Sequence, residues 1–320
     1  MAPGSRLLTF AAQWFDDATV ARVFEPLIAD YQREWADAAP AQRAWIRLSG
    51  VSAIAITFAT MFSRTLVLAP MPPAITRRVL ARLIIFTSVA SALLMVPFVV
   101  QMREMPMPQF AAAAVSLLPS SVLLAFPFAM PWVADGIRRR GRATPVERVV
   151  ALRVAIFAVA LAILTIGWVV PLSNQQFRNI AAPQSSRPPA LGARELTITQ
   201  LLSEPTPVVA DARYAGNSSR RAVRRELHNR LVIALLPALL LWMRWTALAR
   251  PGSRWFVRLP VAAETALVIG IFFTLYLASV WIEPALGLDA GTGFWTPLIV
   301  LLLIGALRHG RSRREDIAAA

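Results

Sequence analysis

The chain has 320 residues, 57% of them hydrophobic, a mean hydropathy of +0.55 and a formal charge of +15. That is more apolar than the surface of a soluble domain tolerates, and it points to an α-helical membrane protein. There is no cysteine and no lysine, which excludes disulfides, thiol redox chemistry, cysteine metal sites and the lysine-bearing phosphate loop of ATPases.

Residues 1–47 read as a juxtamembrane helical region. Met1 to Asp30 has no compact apolar stretch and carries Asp16, Asp17 and Glu25, so no processed signal peptide is expected. Val23, Phe24, Leu27, Ile28, Tyr31 and Trp35 fall on one face of an otherwise charged, amphipathic helix. Such a stripe needs a partner, either the membrane interface or another helix of the same chain. Residues 48–78 hold a short, marginal apolar segment, Leu48 to Phe62, closed by Arg64 and followed by Pro70, Pro72 and Pro73. It either crosses the membrane or lies along the interface with Trp45 and Arg64 as anchors; we expect the interfacial placement.

Six clear spans follow as three, a polar stretch, and three more. The first half, 79–171, holds about Leu80 to Val100, Phe110 to Ala134 and Val149 to Pro171. The second, 229–310, holds about Leu231 to Ala249, Leu259 to Trp281 and Phe294 to Leu307. Several of them reach about 18 or more largely uncharged residues, enough to cross a hydrocarbon core of about 30 Å. The fold class expected is therefore all-α: a polytopic membrane protein with six core transmembrane helices, an N-terminal amphipathic helix and one short extra apolar helix.

Arginines gather in alternate connections: Arg77, Arg78 and Arg82; Arg138 to Arg140, Arg142 and Arg148; Arg250, Arg254 and Arg258; and Arg308, Arg311, Arg313 and Arg314. By the positive-inside rule these are cytoplasmic, as is the tail 311–320, and the loop 172–228 lies outside the cytoplasm. The clustering at span ends explains the basic charge through topology and anionic lipid, and no nucleic-acid-binding motif accompanies it.

Nothing in the spans or the loop has the residue types of an active site. His228 and His309, the two histidines, fall on opposite sides of the membrane under this topology and cannot share a metal or a Ser–His pairing. Glu264 lies about one turn inside the fifth span, where snorkelling or pairing with a neighbouring arginine is expected over a proton relay. No catalytic residue, metal or cofactor is expected.

The outside loop breaks the charge rule. It carries eight arginines against Glu195, Glu204, Asp211 and Glu226. Read functionally, Arg220, Arg221, Arg224, Arg225 and Arg230, at the mouth of the fourth span, face an anionic lipid headgroup, since guanidinium pairs with phosphate bidentately. Read plainly, they are a solvated linker.

Four places resemble the LptF/LptG permease family, the membrane subunits of the lipopolysaccharide-export ABC transporter. They are Leu118-Pro119-Ser120 with Pro127 and Pro131; Val169-Val170-Pro171-Leu172-Ser173-Asn174 followed by Phe177-Arg178; Arg225-Glu226-Leu227-His228-Asn229-Arg230-Leu231; and Trp295-Thr296-Pro297. In order and at the right span ends, they cover about residues 79–310. The resemblance implies a half-permease that pairs with a like subunit, takes lipopolysaccharide or another anionic lipid from the outer leaflet of the inner membrane, and is driven by a separate ABC ATPase. It raises the expectation that Arg225 and Arg230 line a lipid cavity, and that Glu147 with Arg148 is the remnant of the ATPase-coupling contact. The family's β-jellyroll between the third and fourth spans has no counterpart in the short, proline-broken loop. A non-transporting membrane scaffold or regulatory protein derived from the same fold is the alternative, with residues 1–47 as its partner-binding element.

Overall fold

In a computed structural model the structure describes residues 4–68, 70–103, 105–138, 143–181, 196–202, 219–248, 261–287 and 291–318. Among these residues every element is helical and no strand occurs. Six helical stretches are long and apolar enough to cross a membrane: Arg43–Leu68, Pro73–Val100, Met107–Ile137, Pro145–Phe177, Val223–Leu248 and Val261–Ser279. The protein is an all-α polytopic membrane protein. The chain divides into two compact units, one of residues 1–76 and 142–154, the other of 77–141 and 155–320.

In the first unit, α1 (Ser5–Ala11) is followed by Asp16, whose carboxylate accepts the backbone N–H of Thr19 at 2.7 Å and caps the short helix α2 (Asp17–Thr19). A π-helical turn, Val20–Phe24, then leads into α3 (Glu25–Asp37). The wide turn has a local cause. Pro26 lacks an N–H, and its ring would crowd the carbonyl of Arg22 four residues back, which lies inside the turn.

The apolar stripe of this helix finds its partner within the chain. Phe24 is wholly buried with Phe15, Val20 and Ala11, and Phe58, Met61 and Phe62 of α4 (Arg43–Leu68) pack against them. Ile28 and Tyr31 bury with Ile54 of α4, with Leu27 and Trp35 packed alongside. Phe58 sits among the rings of Phe10, Phe15 and Phe24, with centroids 5.1, 5.3 and 6.3 Å away, separations that suit tilted and edge-on aromatic contacts. The stripe is thus a packing face.

The start of α7 (Pro145–Leu164) completes this unit. Thr144 and Glu147 form a reciprocal capping box: Thr144 N donates to Glu147 Oε2 at 3.0 Å and Glu147 N to Thr144 Oγ1 at 3.2 Å. Arg148 donates to the carbonyl of Gln13 at 2.7 Å. Arg153 donates to the carbonyls of Thr65 and Leu66, which belong to the last turn of α4 and have no helical partner of their own.

The second unit contains most of α5 (Pro73–Met102), all of α6 (Met107–Ile137), the rest of α7, and α8 to α12. Phe86 of α5 stacks on Trp132 of α6 at 4.3 Å, and Ser91 donates to Ser121 at 3.3 Å. α7 passes through a second π-helical turn, Thr165–Val169, into α8 (Val170–Ala181). Again a proline, Pro171, follows two residues after the turn, with the carbonyl of Gly167 four residues behind it. The short helix α9 (Ile198–Leu202) is capped by Thr197 with Gln200, and Leu196 and Leu201 bury against Val223 and Leu227. α10 (Ser219–Leu248) packs along both α6 and α12 (Thr296–Ala318), and α11 (Val261–Ala285) packs on α12 and on the 3-10 turn Thr292–Trp295 that precedes it.

Three expectations change. The marginal apolar segment is not short: Leu48 to Phe62 lies inside the 26-residue helix α4, which extends through polar residues at both ends because Arg43, Arg47 and Arg64 stand on exposed faces. The last span, expected at Phe294 to Leu307, has its apolar part at Thr292–Leu307, but α12 does not stop there and runs on through the tail to Ala318. The loop 172–228 is partly helix, since α8 extends to Ala181, α9 lies within it and α10 begins at Ser219. Residues 182–195 and 203–218 of that loop lie outside the described residues.

Candidate functional site

α10 carries a polar cluster at each end, joined by an apolar middle. At the Leu248 end, Arg244 lies between two carboxylates from two other helices. Its Nε donates to Asp135 Oδ1 of α6 at 2.7 Å and its Nη2 to Asp135 Oδ2 at 3.1 Å, a bidentate pair. Its Nη1 donates to Glu264 Oε2 of α11. Glu264 is 3% exposed, and a small cavity beside it is lined by Pro131, Leu240, Met243, Arg244, Thr265 and Val268. Next to this triad the buried Arg138 donates to the carbonyl of Trp245 at 2.8 Å, with its guanidinium 4.9 Å from the Trp245 ring centroid. Removing charges from water is costly unless they are paired. Here one cation satisfies a carboxylate from each flanking helix, so the triad ties α6, α10 and α11 together at one end. Pairing of Glu264 with an arginine was expected; Arg244 and Asp135 as its partners were not. The signal was available, since Arg244 interrupts the apolar run Leu239-Leu240-Leu241-Trp242-Met243 one turn before the helix ends.

At the Ser219 end, the residues Arg225 to Arg230 meet α11 and the head of α12. His228 Nδ1 accepts from Trp295 Nε1 at 2.9 Å, which places the imidazole proton on Nε2. Asn229 accepts from the hydroxyl of Tyr276, and Tyr276 stacks on Phe294 at 4.9 Å. Arg225 Nη2 stands 3.7 Å from Glu283 Oε2, and its guanidinium lies 5.5 Å from the Phe294 ring centroid. The other oxygen of Glu283 accepts the backbone N–H of Gly291 at 2.9 Å. Gly291 has φ +91°, and a Cβ there would lie 2.8 Å from His228 Cβ and 3.0 Å from Arg225 Cα; only glycine brings the backbone this close to α10.

Of the five arginines expected to grip a lipid phosphate, the structure describes the side chains of Arg224, Arg225 and Arg230. Arg230 is 3% exposed and pairs with Glu226 one turn back at 2.9 Å. Arg225 faces Glu283, and Arg224 is exposed. Arg220 and Arg221 are in the first turn of α10, with side chains outside the described residues. Glu147 and Arg148, expected to make a coupling contact, hold the helix cap and the Gln13 carbonyl. Among the described residues no group of three His, Asp or Glu side chains is placed to hold a metal ion.

Compared with known proteins, the chain matches no family model, no curated protein and no solved structure.

Proposed function

We propose that this protein is a permease-type membrane subunit of the LptF/LptG kind, handling an anionic lipid or lipopolysaccharide at the outer leaflet of a bacterial inner membrane together with a separate ABC ATPase and a like subunit. The observation that carries this reading is the junction of His228 with Trp295 at 2.9 Å. Two of the four stretches with the family's likeness, joined by residues 67 apart in sequence, are brought side by side, and Arg224 stands exposed next to them. A guanidinium at a span mouth suits a lipid phosphate. In this reading the C-terminus is cytoplasmic and the Ser219 end of α10 is the lipid-facing end.

The test is purification from native membranes in mild detergent, with bound proteins and lipids identified by mass spectrometry. The reading expects an ABC ATPase and retained anionic lipid; recovery of neither would sink it.

A second reading has its own support. Arg225, Arg230, Glu147 and Arg148 all have internal partners, as they would in a scaffold that no longer transports. Deleting residues 16–47 would then give a stronger phenotype than reversing the charge of Arg224.

A further inference from the structure

We propose that α4 does not cross the membrane but lies in the plane of the bilayer surface, its outer face docked in lipid and α3 between it and the water. Only the first unit is involved, and the permease reading is not assumed.

α4 is long and apolar enough to span, so length does not decide its placement; its neighbour does. α3 runs antiparallel along it. Phe24 meets Phe58 with ring centroids 6.3 Å apart, Tyr31 lies on Gly50, and the carbonyl of Ala38 accepts from Arg43 Nε at 3.3 Å. The contact covers α4 from Arg43 to Phe58, about 22 Å at a rise of about 1.5 Å per residue, which is most of a hydrocarbon core of about 30 Å. Over that length α3 exposes Glu25, Asp30, Arg33, Glu34 and Asp37. Were α4 upright, these charges would be stacked through the hydrocarbon, where ionised side chains need a charged partner or a water-filled cavity. With α4 flat, all of them stand on the water side.

The outer face of α4 suits that placement. Gly50, Ile54 and Phe58, at i, i+4 and i+8, face α3. Ser52 and Ile56 lie about 200° round the helix from Ile54 and are exposed, as are Trp45, Leu48 and Ala59. No charge occurs between Arg47 and Arg64, so this face is uncharged along its length while the far side of α3 is highly charged. A helix pair of that polarity seats its apolar face at the boundary of headgroups and acyl chains. Trp45 and the exposed Arg43, Arg47 and Arg64, at the two ends of α4, are then level with the headgroups.

The chain has no cysteine, so single cysteines in the full-length protein report position without background. Ala44→Cys and Arg64→Cys mark the two ends of α4, about 30 Å apart along the helix, and Ala36→Cys marks the outer face of α3. Treated with a membrane-impermeant maleimide before and after permeabilising the cells, all three should react from the same side. Reaction of residues 44 and 64 from opposite sides overturns the proposal. A spin label at Ser52→Cys, in vesicles of phosphatidylethanolamine and phosphatidylglycerol, reads what covers the outer face. Collisions with oxygen should outweigh those with a water-soluble nickel chelate, at a depth of about 5–10 Å below the headgroup boundary. Predominant nickel collisions mean a face in water, and few collisions with either reagent mean a face covered by a second copy or another protein; both overturn the docking in lipid. Ala59→Cys, on the same face, gives the same reading if Ser52→Cys does not fold.

Discussion

The indole N–H of Trp295 donates to Nδ1 of His228 at 2.9 Å, with the two rings edge-on at 85°. This bond joins the start of α10 to the turn that leads into α12, and both groups are partly buried. Trp295→Phe leaves the histidine acceptor unpaired, and His228→Phe leaves the indole donor unpaired. Each should cost about 1 kcal/mol or somewhat more, whereas changing both residues together should cost less than the sum, because no orphan remains. Thermal unfolding in detergent of the two single variants and the double variant measures this coupling; strict additivity would show that the bond contributes nothing.

Arg244 is the single cation between Asp135 and Glu264 in the triad. Replacing it with methionine keeps the length of the side chain and leaves the buried Glu264 and the half-buried Asp135 without a cation. The expected loss is about 3–5 kcal/mol, enough to deplete folded protein from the membrane. Adding Asp135→Asn and Glu264→Gln to Arg244→Met removes the stranded charges and should restore much of the loss. Size-exclusion profiles of detergent extracts report the outcome, and a triple variant no better than Arg244→Met would argue against the triad as a charge-balanced unit.

The spans were legible because long uncharged runs have one physical reading, and α6 and α11 start and end near where the apolar runs do. Polar residues that extend a helix beyond its apolar run were not legible. α4 begins at Arg43 and α10 at Ser219, since helix propensity and capping continue where hydropathy has already stopped. The π-helical turns are marked only by Pro26 and Pro171, which in sequence read equally well as helix breaks. At the candidate site, the arginines of residues 225–231 were read as ligand-binding although Glu226, the partner of Arg230, lies one turn away, and the carboxylate that faces Arg225 is distant in sequence. Glu283 is 58 residues from Arg225, and nothing local in the sequence links the two. The clustering of cations is a local property of sequence, and their neutralisation is a property of the fold.

Asp16 accepts the N–H of Thr19, and its hydrogen bonds to Thr19 hold its pKa below the ordinary 3.8. A carboxylate whose pKa is lower folded than unfolded contributes stability that is complete above the ordinary value and is lost as the pH falls through the lowered one. Asp16→Ala should therefore destabilise the first unit at neutral pH, by about 1 kcal/mol as for other N-cap losses. The gap from wild type should close in acid. Because Asp16 is exposed, the charge part of the effect should shrink in high salt while the cap's hydrogen bond persists. Melting curves of wild type and Asp16→Ala from neutral pH down into the aspartate range test the sign; a gap that widens in acid would contradict it.

Gly50 of α4 lies directly beneath the ring of Tyr31 on α3. A Cβ at residue 50 would stand 2.2 Å from one ring carbon and 3.0 Å from Cγ. The near atom at Cγ is close to the tyrosine's own backbone, so rotating the ring does not relieve the clash, and the two helices must separate. Tyr31 is buried with Ile28 and Ile54, and separation would open that core as well. Gly50→Ala should therefore cost about 1–3 kcal/mol by overpacking, although alanine is the better helix former by about 1 kcal/mol. Tyr31→Ala removes the obstacle along with its own packing, so once it is present Gly50→Ala should add no further loss. The same cycle decides which partner the apolar stripe of residues 23–35 has. If the stripe lay in the membrane interface instead of on α4, Gly50→Ala would be neutral or stabilising, and the two substitutions would act independently. Protease protection of residues 1–68, measured for the two single variants and the double variant, distinguishes these outcomes directly: loss of protection in Gly50→Ala that is absorbed in the double variant is the signature of helix-on-helix packing.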